Sequence, residues 1–126
     1  MSNDSNKMTV VRGNIDLAGS EEEVYQLVTF LLGGEVYALD ILAVQEIIRM
    51  QNITNVPRTA DYVEGVINLR GKVIPIIDLR KRFNLAVQDE TKDTRIIVVE
   101  IGDKIIGMIV DGVSRVLRLN ANLVEP

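Results

Sequence analysis

Apolar residues in this chain occur in short runs separated by glycine turns, a pattern typical of an all-β protein. The first run, 23–32, is apolar on both faces and predicts a strand that is covered on both sides. Gly33-Gly34 predicts a tight turn into a second strand at 35–40. A later hairpin, 95–110, is again apolar on both faces. Together with a central hairpin, these runs predict about seven strands, as in small barrels.

The central hairpin covers residues 65–79, GVINLRGKVIPIIDL, and its two arms are rich in β-branched residues. Gly71 is the predicted turn residue, because glycine adopts positive φ without a Cβ clash. Pro75 cannot donate a hydrogen bond to a neighbouring strand, so it predicts a sheet edge or a bulge. Arg70 and Asp78 are the charged residues that end the two apolar arms.

Three segments carry a different pattern. In 41–48 the apolar residues recur at helical spacing after Asp40, a candidate cap, which predicts a short helix with a strand as the alternative. In that helix Glu46 would point away from the buried face. Residues 79–83 are expected to form one helical turn, and 113–119 either a half-exposed strand or a short helix.

Composition excludes several function classes. The chain has 126 residues, 47% hydrophobic and only 4% aromatic, and it contains no Cys, His or Trp. Ser-His-Asp or Cys-His catalysis, disulfides and the usual zinc sites therefore lack their residues, and no metal or cofactor is expected. A net charge of −4 argues against nucleic-acid binding. Without a signal peptide or an apolar span, the chain is expected to be cytoplasmic and not membrane-inserted, with a flexible tail at 1–22.

Acidic residues at strand ends offer the remaining route to catalysis. Asp40, Asp78 and Asp111 each follow an apolar run, and paired carboxylates serve as acid and base in many enzymes. The alternative is that each accepts backbone hydrogen bonds or pairs with an arginine, and we favour this alternative.

Arg70 and Glu46 form a second candidate constellation. Their pairing is either an ordinary surface ion pair or a bidentate contact that shapes a rim for a partner. Val44 and Ile47 are likewise either core residues or part of an apolar groove for a partner helix. Both choices remain open from the residues alone.

The run VEGVINLRGKVIPIIDLR resembles the signature of the chemotaxis coupling proteins, the CheW family. The flanking segments agree in order over residues 24–119: LVTFLLGGEVYALDI, VQEIIR, VPRTADYVEG, RIIVVEI and GMIVDGV. The resemblance implies a CheW-like domain at 23–126, built as two small SH3-like five-stranded barrels that share an apolar core. The first barrel would cover about 35–83 and the second would start near 90, with 23–32 in the shared body.

The function implied by the resemblance is a non-catalytic adaptor. Family members couple the cytoplasmic tips of transmembrane chemoreceptors to the regulatory domain of the histidine kinase CheA. Matching the motifs residue by residue places the receptor-facing positions at Val44, Glu46, Ile47, Arg70, Gly107 and Asp111. The kinase-facing positions fall on Ile53 and Gly65.

The chain also departs from the family pattern. Family members usually continue with a further strand pair and a terminal helix, and no such pattern follows here. Either the sequence is a truncated part of a longer protein, or the second barrel is incomplete or is completed by another chain. Because a free strand edge can pair with another chain, we expect the body at 24–119 to self-associate or to be unstable when isolated. The alternative functions are the CheW-like domain of a CheV-type or kinase regulatory protein and, in a different class, a carboxylate-dependent enzyme.

Overall fold

A computed structural model describes residues 24–120, and most of this range is β-strand. The strands are β1 (Val24–Leu32), β2 (Glu35–Asp40), β3 (Val44–Arg49), β4 (Val63–Leu69), β5 (Lys72–Asp78), β6 (Arg95–Ile101), β7 (Lys104–Val110) and β8 (Gly112–Asn120). A 3₁₀ turn covers Ile41–Ala43, and the short helix α1 covers Leu79–Arg82. The all-β prediction is confirmed, as is the helical turn after the central hairpin. The predicted tail at 1–22 lies outside the described residues.

The strands form two sheets. One has three strands in the order β2-β1-β8, and the other has five in the order β3-β6-β7-β5-β4. Neighbouring strands are antiparallel except β5 and β7, which pair in parallel. The five-stranded sheet curls until its outer strands approach each other, although the described strands do not form a closed barrel.

The sheets do not follow the predicted division into a barrel at about 35–83 and another starting near 90. β6 and β7 lie in the same sheet as β3, β4 and β5, while β2 pairs with β1 and β8. The parallel pair β5–β7 is the reason: α1 and the loop after it lead into β6, and the β6–β7 hairpin then places β7 beside β5 in the same direction.

The helix predicted for 41–48 is wrong beyond its first turn, and the strand alternative is correct for Val44–Arg49. A bulge in the pairing with β6 lies between Val44 and Glu46, and it resets the alternation of side chains. The apolar residues on either side of the bulge consequently recur at a spacing that imitates a helix. Tertiary pairing with β6 decides in favour of the strand.

Two apolar clusters hold the fold together. The first packs the two sheets against each other and consists of Phe30, Leu32, Leu39, Leu79, Ile97, Val99, Met108 and Val110. The second fills the inside of the curled sheet with Ile67, Ile74, Ile76, Ile96 and Val98. Strand β6 contributes to both clusters, which explains why its sequence is apolar on both faces.

Candidate functional site

The turn between β4 and β5 is what presents Arg70. Arg70 and Gly71 both have left-handed backbones, with φ of 52° and 86°, and two such residues in a row are typical of a type I′ hairpin turn. The Asn68 side-chain oxygen accepts a hydrogen bond from the Gly71 N–H at 2.9 Å and fixes the turn. The Arg70 side chain thereby projects from the hairpin tip.

Arg70 and Glu46 form the predicted ion pair. Arg70 Nη1 donates to Glu46 Oε2 at 3.3 Å, and Arg70 Nη2 donates to Glu46 Oε1. The hydrogen bond from Arg70 lowers the pKa of the Glu46 carboxyl, and the same bond raises the pKa of the guanidinium. Because Arg70 is largely exposed, salt screens this attraction.

The pair belongs to a line of contacts between the outer strands of the five-stranded sheet, which we call the β3–β4 seam. Glu46 and Arg70 form one contact of the seam. Further along, Thr54 and Val66 exchange two backbone hydrogen bonds of 2.9 Å, so the segment after β3 covers the edge of β4. The seam brings the curled sheet close to closure.

Gly65 and Ile53, the predicted kinase-facing residues, meet at this seam. Gly65 has a φ of 146°, and a Cβ atom there would stand 2.0 Å from the Thr54 carbonyl oxygen. The same Cβ would lie 2.9 Å from Ile53 Cγ2. Close approach of the two chain segments therefore requires glycine at position 65.

Apolar side chains remain accessible on the face of β3 that looks toward the junction of the two sheets. Val44 pairs with Val99 and Ile47 with Ile97, so all four side chains share one face. We call the accessible part of this face the apolar margin: Val44, Ile47, Ile101 and Ile106. Exposure is 41% for Ile47 and 54% for Ile101, whereas the other two are half-buried.

Ile101 and Ile106 were not among the predicted site residues. Ile106 joins the margin because it pairs with Val99 on β7, and Ile101 because it lies two residues beyond Val99 on β6. Only the strand register reveals this neighbourhood. The sequence signal that could have pointed to them is the excess of apolar residues on both faces of β6.

The predicted receptor-facing residues do not form one patch. Glu46 pairs with Val98 and so lies on the opposite face of β3 from Val44 and Ile47. Neighbouring residues of a strand point to opposite faces, so Glu46 and Ile47 diverge.

Gly107 is buried in the middle of the five-stranded sheet. A Cβ atom at this position would stand 2.6 Å from Ile76 Cδ1 and 2.9 Å from Ile96 Cγ2. Its place in the fold therefore supports a packing role and offers no surface to a partner.

Each strand-end aspartate has a structural contact. Asp40 accepts a hydrogen bond from the Leu42 N–H at 2.9 Å, and Asp78 accepts one from the Arg80 N–H at 3.0 Å. Asp111 pairs with the Arg80 side chain, and that hydrogen bond lowers the pKa of its carboxyl. These contacts agree with the structural interpretation of the three residues.

Residues 24–120 contain no candidate metal site and no helix of membrane-spanning length. No group of three or more His, Cys, Asp or Glu side chains in this range is placed to hold a metal ion. Within the same described range, no helix is long and apolar enough to cross a bilayer.

Residues 26–126 match the family model described as the CheW-like domain. The chain is 42% identical over 105 residues to the chemotaxis protein CheW of Helicobacter pylori, covering 83% of this chain and 64% of that protein. It is 43% identical over 101 residues to the CheW of Klebsiella aerogenes, covering 80% and 61%. The chain thus spans less than two thirds of the length of these relatives.

Two further similarities are informative. The chemotaxis protein CheV3 of Helicobacter pylori is 33% identical over 93 residues, which cover 72% of this chain and 30% of that protein. The crystal structure of the scaffolding protein TtCheW from Thermoanaerobacter tengcongensis superimposes with a TM-score of 0.79 at 45% identity, covering 82% of this chain and 71% of the other. The sequence motifs, the two-sheet fold and these similarities agree, and the chain belongs to the CheW-like domain family.

Proposed function

We propose that this chain is a non-catalytic scaffold of chemotaxis signalling, which couples the cytoplasmic tips of chemoreceptors to the regulatory domain of the histidine kinase CheA. The observation that carries the proposal is the family match over 26–126, together with relatives named as chemotaxis protein CheW. Coupling these two partners would place the protein in the cytoplasm.

The distribution of side chains supports a scaffold. The strand-end carboxylates accept hydrogen bonds from backbone N–H groups of helical turns and from the Arg80 side chain. The apolar margin, in contrast, leaves aliphatic side chains in contact with water. Exposed aliphatic side chains on one face suit the apolar stripe of a partner helix. We therefore assign the receptor contact to the margin.

A reconstituted signalling assay tests this assignment. Receptor cytoplasmic fragments on vesicles are mixed with CheA and the full chain, and kinase activity is measured with co-sedimentation of the chain. Ile47→Ser should reduce both, because it removes an exposed anchor of the margin. The matched control is Val116→Ser, an exposed valine on β8 outside the margin, at 51% exposure. Equal behaviour of the two variants would contradict the assignment, and a wild-type chain that binds neither partner would contradict the scaffold function.

We propose separate roles for the remaining predicted residues. Arg70 and Glu46 would border the receptor site from the opposite face of β3, and Ile53 with Gly65 would lie toward the kinase. Arg70→Ala and Glu46→Ala should each impair receptor coupling while the fold survives. An Arg118→Ala variant, exposed on β8, serves as the charge-matched control. Normal kinase activation by either seam variant would show that the ion pair has no part in coupling.

A CheV-type protein is the second candidate, and the match to CheV3 favours it because the same domain forms only 30% of that longer protein. The two candidates differ in the size of the native gene product. Mass spectrometry of the protein isolated from its own cells decides between them, since a fused receiver domain would add substantial mass.

We also propose self-association through the three-stranded sheet. β2 and β8 are the outer strands of this sheet among the described residues, and an unpaired edge can accept a strand from another copy. Sedimentation equilibrium should show a concentration-dependent dimer. A stable monomer at high concentration would contradict this proposal without affecting the scaffold function.

A further inference from the structure

Within the described residues the chain crosses between its two sheets twice, and at each crossing an aspartate fixes the backbone. One crossing is the 3₁₀ turn Ile41–Ala43, which connects β2 to β3 and is capped by the buried Asp40. Another is Asp111, the single residue between β7 and β8. Both connections are short, so small changes in their backbone torsions alter the angle between the sheets.

The Asp111 carboxylate contacts both sides of the junction. Its Oδ1 accepts a hydrogen bond from Arg80 Nε at 2.9 Å, and its Oδ2 accepts one from Arg80 Nη2 at 2.8 Å. Oδ2 also accepts a hydrogen bond from the Gly33 N–H at 2.8 Å. Arg80 lies on α1, directly after β5 of the five-stranded sheet, and Gly33 lies in the β1–β2 turn of the three-stranded sheet. One carboxylate therefore joins the two sheets.

Arg80 extends the network to a third segment. Its Nη1 donates to the Ala86 carbonyl oxygen at 2.8 Å and so holds the loop that follows α1. Leu85 of this loop packs against the core between the sheets and approaches Gly33 closely. With 15% of the Arg80 side chain and 29% of the Asp111 side chain exposed, solvent screens this bidentate pair less than the pair at Arg70.

We propose that the Arg80–Asp111 pair sets the relative orientation of the two sheets. The apolar core between them is attractive but non-directional, so it holds the sheets together without selecting one angle. Hydrogen bonds are directional, and the Asp111 carboxylate accepts three of them at the junction: two from Arg80 beside the five-stranded sheet and one from the Gly33 N–H in the three-stranded sheet. This role concerns the fold alone and holds whether or not the scaffold function does.

Distances between spin labels measure the orientation directly. The chain has no cysteine, so Val36→Cys on β2 and Val73→Cys on β5 introduce labels at exposed sites, 64% and 68% accessible, one on each sheet. Double electron–electron resonance then reports the inter-sheet distance distribution. Labels at Val73→Cys and Ile101→Cys, both in the five-stranded sheet, give the reference within one sheet.

Two variants break the pair in different ways. Arg80→Lys keeps the positive charge but removes the planar pair of N–H donors, and Asp111→Asn removes the negative charge. Each should broaden the inter-sheet distribution roughly twofold while the reference distribution stays narrow. Glu46→Gln is the matched control, because it disturbs an ion pair that lies within one sheet, and it should change neither distribution.

The widths of the two distance distributions decide the proposal. Broadening confined to the inter-sheet labels supports it. An unchanged inter-sheet distribution in folded Arg80→Lys protein overturns it, and so does equal broadening of both label pairs, which would indicate general loosening. If circular dichroism shows that Asp111→Asn does not fold, the milder Arg80→Lys variant decides.

Discussion

Replacing Gly107 by alanine should destabilise the protein through a clash that a second substitution relieves. Gly107 lies on β7, between β5 and β6. Its added Cβ would meet Ile76 Cδ1 at 2.6 Å and Ile96 Cγ2 at 2.9 Å. Both isoleucines are fully buried, so neither has free space into which it can move.

The size of the effect follows from two opposing contributions. Overpacking a buried site costs about 1–3 kcal/mol. Replacing glycine restricts the unfolded chain and returns about 0.4–1 kcal/mol. We therefore expect Gly107→Ala to lower the free energy of unfolding by about 1–2 kcal/mol.

Ile76→Val removes the Cδ1 atom that stands in the way. Alone it should cost about 0.5–1.5 kcal/mol, the usual loss for this substitution in a core. In the double variant the new Cβ of residue 107 occupies part of the vacated space. Ile96 Cγ2 still lies 2.9 Å from that Cβ, so part of the clash remains, and the double variant should be about 1 kcal/mol more stable than the sum of the two single costs predicts.

Urea unfolding followed by circular dichroism measures all four proteins of this cycle. Gly112→Ala is the matched control, because a Cβ there meets nothing closer than 3.6 Å and should change stability by less than about 0.5 kcal/mol. Strictly additive costs in the double variant would refute the packing argument, as would a neutral Gly107→Ala. A stable double variant that still binds receptor would further exclude Gly107 as a direct partner contact.

The other predictions concern the seam and the junction of the sheets. Gly65→Ala should cost at least about 3 kcal/mol in urea unfolding, because it places a Cβ 2.0 Å from a backbone oxygen at a φ of 146°; a smaller cost than that of Gly107→Ala would contradict this. Any loss of thermal stability in Arg70→Ala should vanish in about 1 M salt, since its pair with Glu46 is exposed; persistence of the loss in salt would indicate another cause. Arg80 lowers the pKa of Asp111, so Asp111→Asn should be less stable than the wild type at neutral pH, and this difference in stability should shrink as the pH falls below about 4. A difference that grows toward acidic pH would contradict this prediction.

Local patterns were sufficient to predict most strands. β-branched runs bounded by glycine predicted the hairpins at β1–β2, β4–β5 and β6–β7, because strand propensity and turn chemistry are properties of neighbouring residues. The helix prediction for 41–48 was wrong beyond its first turn because the bulge after Val44 depends on pairing with a strand about fifty residues away. No local pattern contains that information.

Which strands belong to which sheet could not be predicted from local patterns either. The parallel pairing of β5 with β7 depends on where α1, the following loop and β6 lead the chain, and it places strands from both sides of the predicted boundary in one sheet. The pairing of Arg70 with Glu46 was a candidate from the residues alone, and the family resemblance supported it. The apolar margin, which combines β3, β6 and β7, required the register.

In this domain the strand-end aspartates have structural contacts, and some aliphatic strand residues are accessible, which is the opposite of what a search for catalytic sites would assume. The aspartates at strand ends resemble a catalytic set, yet Asp40 and Asp111 fix places where the chain passes between sheets, and Asp78 caps α1. The aliphatic residues of β3 resemble core, yet Ile47 remains accessible. Under the proposed scaffold function, the apolar margin has to be presented with the two sheets at a defined angle. Directional hydrogen bonds to the carboxylates fix such an angle better than aliphatic contacts do. The polar groups that look most reactive are therefore the ones that we expect to shape the binding surface without touching the partner.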